Sequence, residues 1–272
     1  MSAARIISLD HLTVFELTPP EVVRTAAESG YRHVGLRLRP AAPPTEAQHP
    51  VVGDTPMRRE TLAALRDTGV ALLDWGVLRL KADTVIADFE PWLDTAARLG
   101  GRNALVNGDA PDDAALTDLF GQLCELGKRC GMNFHFEPTP WTGLRTLAQA
   151  SRIVLAAGQP NGKVMVDTLH VDRVGNTAAD IAAVPRGLIS FVQLCDGVMP
   201  RPTDFETMIA QARGERAFPG EGGIDLASML RALPADCPIS LECPTKYRAL
   251  GMPALERAKR GRAALEALLA RL

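Results

Sequence analysis

The stretch Asn133-Phe134-His135-Phe136-Glu137 indicates the fold, because it is a short apolar run that ends in a carboxylate and is repeated in form later in the chain. The later runs are Lys163-Val164-Met165-Val166-Asp167, Ile189-Ser190-Phe191-Val192-Gln193 and Pro238-Ile239-Ser240-Leu241-Glu242. Their last residues follow one another at intervals of 30, 26 and 49 positions. This is roughly the spacing of successive strand ends in a barrel of parallel strands, where the ends of all strands face one mouth. We therefore expect these four last residues to converge.

Three carboxylates and one amide at a single point need a partner. Converging carboxylates repel one another and are costly to desolvate, so they persist at neutral pH only with a cation or shared protons. Oxygen ligands favour a hard ion, Mg²⁺ or Mn²⁺, over Zn²⁺. We therefore predict a divalent-metal site formed by Glu137, Asp167, Gln193 and Glu242. The alternative is that each acid is only a polar cap where its strand leaves the core.

The rest of the chain repeats the same unit. Short apolar runs alternate with longer amphipathic stretches, which is typical of β/α units. Helical segments end at a glycine before the next strand, as residues 89–99 do before Gly100. The predicted strands are residues 5–9, 33–38, 71–76, 103–107, 133–137, 163–167, 189–193 and 238–242.

Eight such units form either a closed barrel or an open doubly wound sheet. A closed barrel is favoured, because an open sheet would spread the polar ends of its last units far apart. We therefore predict the α/β class, as a closed (β/α)8 barrel in which residues 1–272 form a single domain. The long loop from Pro40 to Pro56 is predicted either to fold over the mouth or to be a surface excursion.

Composition excludes several classes of function. A formal net charge of −2 offers no positive field for nucleic acid. The first residues lack the features of a signal peptide, and no run approaches the ~18 apolar residues of a membrane span. The 5 cysteines form no CxxC pair and are expected to be reduced thiols. We therefore expect a cytoplasmic protein with a small-molecule substrate and no nucleic-acid or membrane partner.

Five motifs in the second half of the chain resemble those of the xylose isomerase-like TIM barrel superfamily. This superfamily includes sugar isomerases, ketose 3-epimerases, inosose and dehydroshikimate dehydratases, and an endonuclease branch. The motifs are His-Phe-Glu-Pro at 135–138, Asp-Thr-Leu-His at 167–170, Gln-Leu-Cys-Asp at 193–196, Arg-Ala-Phe-Pro-Gly-Glu-Gly at 216–222 and Leu-Glu-Cys-Pro at 241–244.

The resemblance implies a TIM barrel in which Glu137, Asp167 and Glu242 are metal ligands. Gln193 takes the fourth ligand place, where most relatives carry His. Dehydratases of the dehydroshikimate type look like one branch that accepts Gln there. The resemblance also implies a homodimer or homotetramer.

Three further residues are candidates for contact with substrate. His170 follows Asp167 by three residues, so it lies just beyond a strand end, where it can bind a substrate oxygen or move a proton. His135 lies on the same strand face as Glu137 but one layer deeper; it is expected to contact substrate, orient Glu137 or fill the barrel. Arg216 begins a turn-rich segment that would hold its guanidinium over the mouth to bind substrate.

These features favour a metal-dependent isomerase or epimerase of a small sugar or polyhydroxylated carbonyl compound. Glu137 or Glu242 is the expected base that takes a proton next to a metal-bound carbonyl, and the other returns it. One alternative is a dehydratase of the 3-dehydroshikimate or inosose type, in which His170 or a neighbouring acid assists loss of a hydroxyl. Another is a catalytically silent barrel that binds a ligand. A nuclease is disfavoured, because the chain has only 5 His and no basic face.

Overall fold

The computed structural model describes residues 5–40, 47–247 and 250–272. The predicted loop from Pro40 to Pro56 lies partly outside these ranges, at residues 41–46. In its described part, the His49 ring stacks on the His11 ring with centroids 5.6 Å apart.

Parallel strands form one sheet within the described residues. Neighbouring strands pair in the order β6-β5-β4-β3-β2-β1-β9-β8-β7, so the sheet curls round until its two ends come from consecutive segments of chain. The strands are β1 Ile7–Asp10, β2 His33–Arg37, β3 Ala71–Lys81, β4 Asn103–Asp109, β5 Asn133–Glu137, β6 Gly162–Val164, β7 Val166–Asp167, β8 Val192–Leu194 and β9 Ile239–Leu241.

Met165 separates β6 from β7 and brings the ring close to closure. β6 pairs with β5 and β7 pairs with β8. The Met165 N–H donates to the Phe136 carbonyl at 3.0 Å, whereas the Val164 N–H donates to Leu188 at 2.9 Å on the other side. The predicted sixth strand is therefore present as two short pieces that face different neighbours. The predicted TIM barrel fold is confirmed, with each of the eight expected strands in place.

Helices connect the strands and cover the outside of the sheet. They are α1 Pro19–Glu28, α2 Pro56–Thr68, α3 Glu90–Arg98, α4 Asp113–Gly127, α5 Leu147–Ala157, α6 Thr168–Arg173, α7 Ala178–Ala182, α8 Phe205–Gly214, α9 Leu226–Ala232 and α10 Ala254–Leu269. Local chemistry sets their ends: Thr18 and Glu21 form a capping box at the start of α1. Gly158 ends α5 with a φ of 64°, a left-handed conformation that favours glycine.

Two apolar clusters hold this architecture together. The larger lies mainly between the sheet and the surrounding helices. The smaller consists of Val77, Leu105, Met165 and Phe191. Leu105 also lines the cavity at the barrel mouth, so this cluster supports the site described below. Within the described residues, none of the helices has the length and apolar character needed to cross a membrane.

Candidate active site

The four residues predicted to converge lie at adjacent strand ends. Glu137 ends β5 and Asp167 ends β7, while Gln193 lies in β8 and Glu242 directly follows β9. The register pairs Asp167 with Gln193, and Gln193 with Ser240. All four side chains are buried, with exposures of 5% or less. Burial of so many polar groups at one place requires partners for them.

Arg216 links two of the acids. Its Nη1 atom donates to Asp167 Oδ2 at 2.7 Å and lies 2.9 Å from Glu242 Oε2. Its Nε atom donates to the Ala212 carbonyl at 2.9 Å, which fixes the guanidinium plane. Arg216 is only 4% exposed. Arg216 was expected over the mouth. Its side chain lines the cavity there and is buried among the acids, because their charge compensates the cost of desolvating it.

Glu137, Asp167 and His170 form a second group, overlapping the first. Each offers one ligand atom, and these atoms lie within 4.8 Å of one another. Asp167 caps α6, since its Oδ1 accepts from the Leu169 and His170 N–H groups at 2.8 and 3.2 Å. This cap places the His170 ring beside the carboxylate, with Nε2 3.8 Å from Asp167 Oδ2. Asn107 donates to Glu137 Oε2 at 2.6 Å and so orients that carboxyl group.

The burial of these groups separates their pKa values. Burial, and then the charge of Asp167, raises the pKa of Glu137 to about 8. Burial also raises the pKa of Glu242 well above its usual value, although Arg216 opposes this. Burial would raise the pKa of Asp167 too, but Arg216 and His170 outweigh it and hold that pKa below its usual value. Burial lowers the pKa of His170 to about 4, so its imidazole is neutral at pH 7.

The donor set fits a divalent cation. When ionised, three carboxylates and one guanidinium leave two negative charges uncompensated. Among the described residues, the buried Gln193 Oε1 atom has no hydrogen-bond partner, although buried amide oxygens normally have one. Glu137, Asp167, Gln193 and Glu242 supply oxygen, and His170 lies close enough to add a nitrogen. The sequence disfavoured Zn²⁺ because all four predicted ligands are oxygen atoms. A His170 nitrogen in the site weakens that argument, since imidazole is a good ligand for Zn²⁺.

A cavity of about 240 Å³ opens beside these groups. Glu137, Glu242 and His170 line one part of it, and the Trp141 ring meets the His170 ring edge-on with centroids 5.2 Å apart. Arg37 and Arg79 also line the cavity. The Arg79 Nε atom is buried without a hydrogen-bond partner in the described part of the chain. A small polar molecule can thus contact acids and cations in the same space.

His135 does not lie at this cavity. It is fully buried, and its Nε2 atom contacts Asn103 Oδ1 at 3.2 Å and Ser190 Oγ at 3.4 Å. Its ring meets Phe191 with centroids 4.4 Å apart. This position fits the expectation that His135 fills the barrel, and its contact with substrate stays a prediction. Two residues along a strand shift a side chain by roughly 6–7 Å, which places His135 in the barrel filling beneath Glu137.

Sequence reasoning missed or undervalued three residues of the site. Asn107 is paired with Glu137 between β4 and β5, and the rule of polar strand ends would have identified it. Arg37 ends β2 and Arg79 lies near the end of β3, where charged residues are so often solvated that no local signal marks them. The unexpected length of β3, which continues to Lys81, carries Arg79 up to the cavity.

Curated relatives match half of this chain. A 3-dehydroshikimate dehydratase of Pseudomonas aeruginosa is 32% identical over 135 residues, which cover 48% of this chain and 21% of that protein. A protein of the same description from Pseudomonas putida is 28% identical over the same length, with the same coverage. The aligned region thus spans about a fifth of the length of the curated relatives.

Solved structures share the fold over nearly the whole chain. A xylose isomerase-like TIM barrel/4-hydroxyphenylpyruvate dioxygenase fusion protein has a TM-score of 0.80 and 23% identity, covering 98% of this chain and 43% of that one. The IOLI protein with a bound zinc atom has a TM-score of 0.77 and 16% identity, covering 98% of both chains. D-Allulose 3-epimerase from Methylomonas sp. has a TM-score of 0.70 and 15% identity, covering 98% and 97%.

A family model matches most of this chain. The model described as xylose isomerase-like TIM barrel matches residues 23–268. The match includes the strands that carry Glu137, Asp167, Gln193 and Glu242. This chain therefore belongs to the xylose isomerase-like TIM barrel family.

Proposed function

We propose that this chain is a divalent-metal-dependent enzyme that removes a proton from the carbon next to a carbonyl group in a small hydroxylated substrate. The observation that carries the proposal is the 240 Å³ cavity that meets the Glu137, Asp167 and His170 group. The predicted ligands Glu137, Asp167, Gln193 and Glu242 would hold Mn²⁺ or Mg²⁺. The bound ion would polarise the substrate carbonyl and stabilise the enolate formed from it.

Glu137 and Glu242 are the candidate proton carriers, as expected from sequence. Asn107 fixes Glu137 Oε2, which leaves Oε1 as the atom that takes the proton. Glu242 Oε2 is held by Arg216, so its other oxygen can serve the same role.

His170 and Trp141 shape the space in which a substrate hydroxyl group would lie. His170 is neutral at pH 7 and lines the cavity. A neutral imidazole can donate a hydrogen bond to a departing hydroxyl or accept one from a bound hydroxyl. The Trp141 ring limits rotation of His170 by its edge-on contact.

We prefer dehydration over the isomerisation that the sequence alone favoured. Arg37 and Arg79 line the cavity, and the buried Arg79 Nε atom has no hydrogen-bond partner in the described part of the chain. Two such cations favour a carboxylated substrate, which fits 3-dehydroshikimate better than a neutral ketose. Gln193 and the 32% identity with the P. aeruginosa dehydratase support the same choice.

Isomerisation or epimerisation is the second candidate. Glu137 and Glu242 both line the cavity, and two carboxyl groups at one carbon can exchange a proton between its faces. The test is to load the protein with Mn²⁺ and incubate it with 3-dehydroshikimate and, separately, with a panel of ketoses in D₂O. We expect the incubation with 3-dehydroshikimate to develop the absorbance of an aromatic product. Deuterium uptake by a ketose without any aromatisation would overturn the dehydratase assignment.

A silent ligand-binding barrel is the remaining alternative. Metal analysis followed by Glu242→Gln distinguishes it from an enzyme, because an inert binder has no turnover to lose. We expect Glu242→Gln to reduce turnover at least about 100-fold, the scale typical of a lost proton-transfer group. Arg37→Gln and Arg79→Gln should instead raise the KM for a carboxylated substrate and leave a neutral one unaffected.

A further inference from the structure

Asp10 lies at the end of β1, beside β9, the strand that Glu242 follows. Asp10 and Gln193 line the same small cavity of about 10 Å³, together with Asp74 and Glu242. Asp10 ends β1 and is 6% exposed, whereas Gln193 lies in β8 and is 1% exposed. We infer that Asp10 is a positioning residue that selects which end of the Gln193 amide faces the cation. This inference rests on the proposed function, since it concerns a ligand of the proposed ion.

The Gln193 amide has two ends of nearly the same shape and opposite polarity. Its oxygen accepts hydrogen bonds or binds a cation, and its NH₂ group only donates. Packing alone cannot tell these ends apart, because rotation by 180° leaves the volume almost unchanged. A reversed amide would point its NH₂ group at the cation and repel it. The ligand therefore needs a neighbour that recognises the NH₂ end.

Asp10 has the required chemistry. A carboxylate only accepts hydrogen bonds, and Asp10 lines the same small cavity as Gln193, so it can accept from the Gln193 NH₂ group. When the Gln193 NH₂ group donates a hydrogen bond to Asp10, the Gln193 Oε1 atom points away from Asp10. That oxygen is buried and has no hydrogen-bond partner in the part of the chain that the structure describes, as expected for an atom that binds an ion.

Two contacts hold Asp10 in place for this role. The Leu12 N–H donates to Asp10 Oδ1 at 2.8 Å, so that oxygen is committed to capping the turn after β1. Gly35 lies beside the other oxygen, and a Cβ atom there would come within 2.9 Å of Asp10 Oδ2. The absence of a side chain at residue 35 thus gives the carboxylate room to turn into the barrel.

Asp10→Asn tests the inference with little change in shape. The Leu12 N–H would retain the Asn oxygen at the cap, which leaves the new NH₂ group facing Gln193. The Gln193 amide should then rotate to accept from it and turn its own NH₂ group toward the ion. Titration calorimetry with Mn²⁺ alone on the metal-free protein should show affinity about 10–100-fold below wild type, as for other partners that orient a metal ligand.

Asp74→Asn is the matched control. Asp74 lies on the other side of Gly35 and accepts from Ser240 Oγ at 3.3 Å. Asp74→Asn makes the same substitution at a residue that is also buried, so it reproduces any general effect of removing a buried acid. We expect Mn²⁺ affinity to stay within about threefold of wild type. Equal losses in Asp10→Asn and Asp74→Asn would overturn the positioning role.

A second background separates amide orientation from folding. Gln193→Glu places a carboxylate at residue 193, which presents an oxygen at both ends and needs no orientation. In this background, Asp10→Asn should no longer weaken Mn²⁺ binding. A loss as large as in the Gln193 background would contradict the inference. If Asp10→Asn does not fold, Asp10→Ser provides the same comparison, because a serine hydroxyl can also cap the Leu12 N–H.

These measurements separate the two proposals. If the wild-type chain binds no Mn²⁺, Mg²⁺ or Zn²⁺, the metal-dependent function fails, and the positioning role fails with it. If the wild-type chain binds metal and Asp10→Asn binds it equally well, only the positioning role fails. Thermal unfolding of each metal-free variant should show that the affinity differences do not follow stability.

Discussion

Two groups of buried acids lie inside this barrel, and they differ in what compensates their charge. The first is Glu137, Asp167 and Glu242, where Arg216 bridges two of the acids and the cavity of about 240 Å³ adjoins. The second is Asp10 and Asp74, which flank Gly35 and share a cavity of only about 10 Å³. Burial, and then the charge of Asp10, raises the pKa of Asp74 well above its usual value.

The comparison shows that burial of acids does not by itself identify a metal site. The upper group (Glu137, Asp167 and Glu242) is bridged by Arg216, and the cavity of about 240 Å³ gives it access to substrate. The lower group (Asp10 and Asp74) has little space and its own hydrogen-bond donors, Leu12 N–H and Ser240 Oγ. We therefore propose that the upper group binds the ion and that the lower one supports Gln193.

Removing a carboxylate from the upper group should have the largest effect. We expect Glu137→Gln and Asp167→Asn each to weaken Mn²⁺ binding by more than about 100-fold, beyond the usual cost of losing an orienting partner. The chain should remain folded by circular dichroism. Metal content after gel filtration measures the effect, with Asp74→Asn as the variant from the lower group. Normal Mn²⁺ content in both upper variants would refute the assignment.

Arg216→Met tests the bridge that only the upper group has. It leaves Asp167 and Glu242 buried without their cation, which we expect to cost about 3–5 kcal/mol in the free energy of unfolding. Added Mn²⁺ should recover part of this loss, because the ion supplies the missing positive charge. Urea unfolding with and without Mn²⁺ measures both values. A loss that Mn²⁺ does not reduce would show that the acids do not face a common ion.

The pH dependence of stability should reflect the raised pKa of Glu137, which is about 8 against a usual 4.5. The folded metal-free chain binds this proton more tightly than the unfolded chain does. Its stabilising contribution is therefore complete below about pH 4.5 and is lost as the pH rises through about 8. We expect a loss of roughly 3 kcal/mol between about pH 5.5 and 8.

Glu137→Gln is the control for this pH effect, because a glutamine does not titrate. Its unfolding free energy should fall less steeply over the same range. Mn²⁺ binding to the wild-type chain should strengthen with pH up to about 8, since the ion must displace the proton. A wild-type affinity that does not change with pH would contradict the predicted protonation of Glu137.

Gly35→Ala tests the lower group and should have the smallest effect. The new Cβ would lie 2.9 Å from oxygens of Asp10 and Asp74, so these carboxylates must shift. We expect a cost of about 1–3 kcal/mol in thermal or urea unfolding. Gly121→Ala in α4 is the control, because its nearest contacts are at 3.9 Å and alanine favours a helix interior by up to about 1 kcal/mol. An unchanged stability of Gly35→Ala would show that the space at Gly35 is not needed.

The sequence predicted the strands better than the contacts between them. Each expected strand is present, because short apolar runs bounded by glycine carry a strong local signal. The break at Met165 was not predicted, since it depends on which neighbours the two halves of that strand face. His135 lies one layer deeper than Glu137, as expected, but its role was left open, because alternation along a strand gives the face and not the depth at which the cavity begins.

The sequence by itself determined the family, the barrel and the strand ends at which the polar residues lie. Apolar periodicity and terminal glycines are local properties, and the motifs from residue 135 to residue 244 can be read without coordinates. Only the tertiary structure decided that Arg216 bridges Asp167 and Glu242 and that Asp10 and Gln193 line the same small cavity. These residues are far apart in the chain, and closure of the ring together with side-chain direction sets which of them meet.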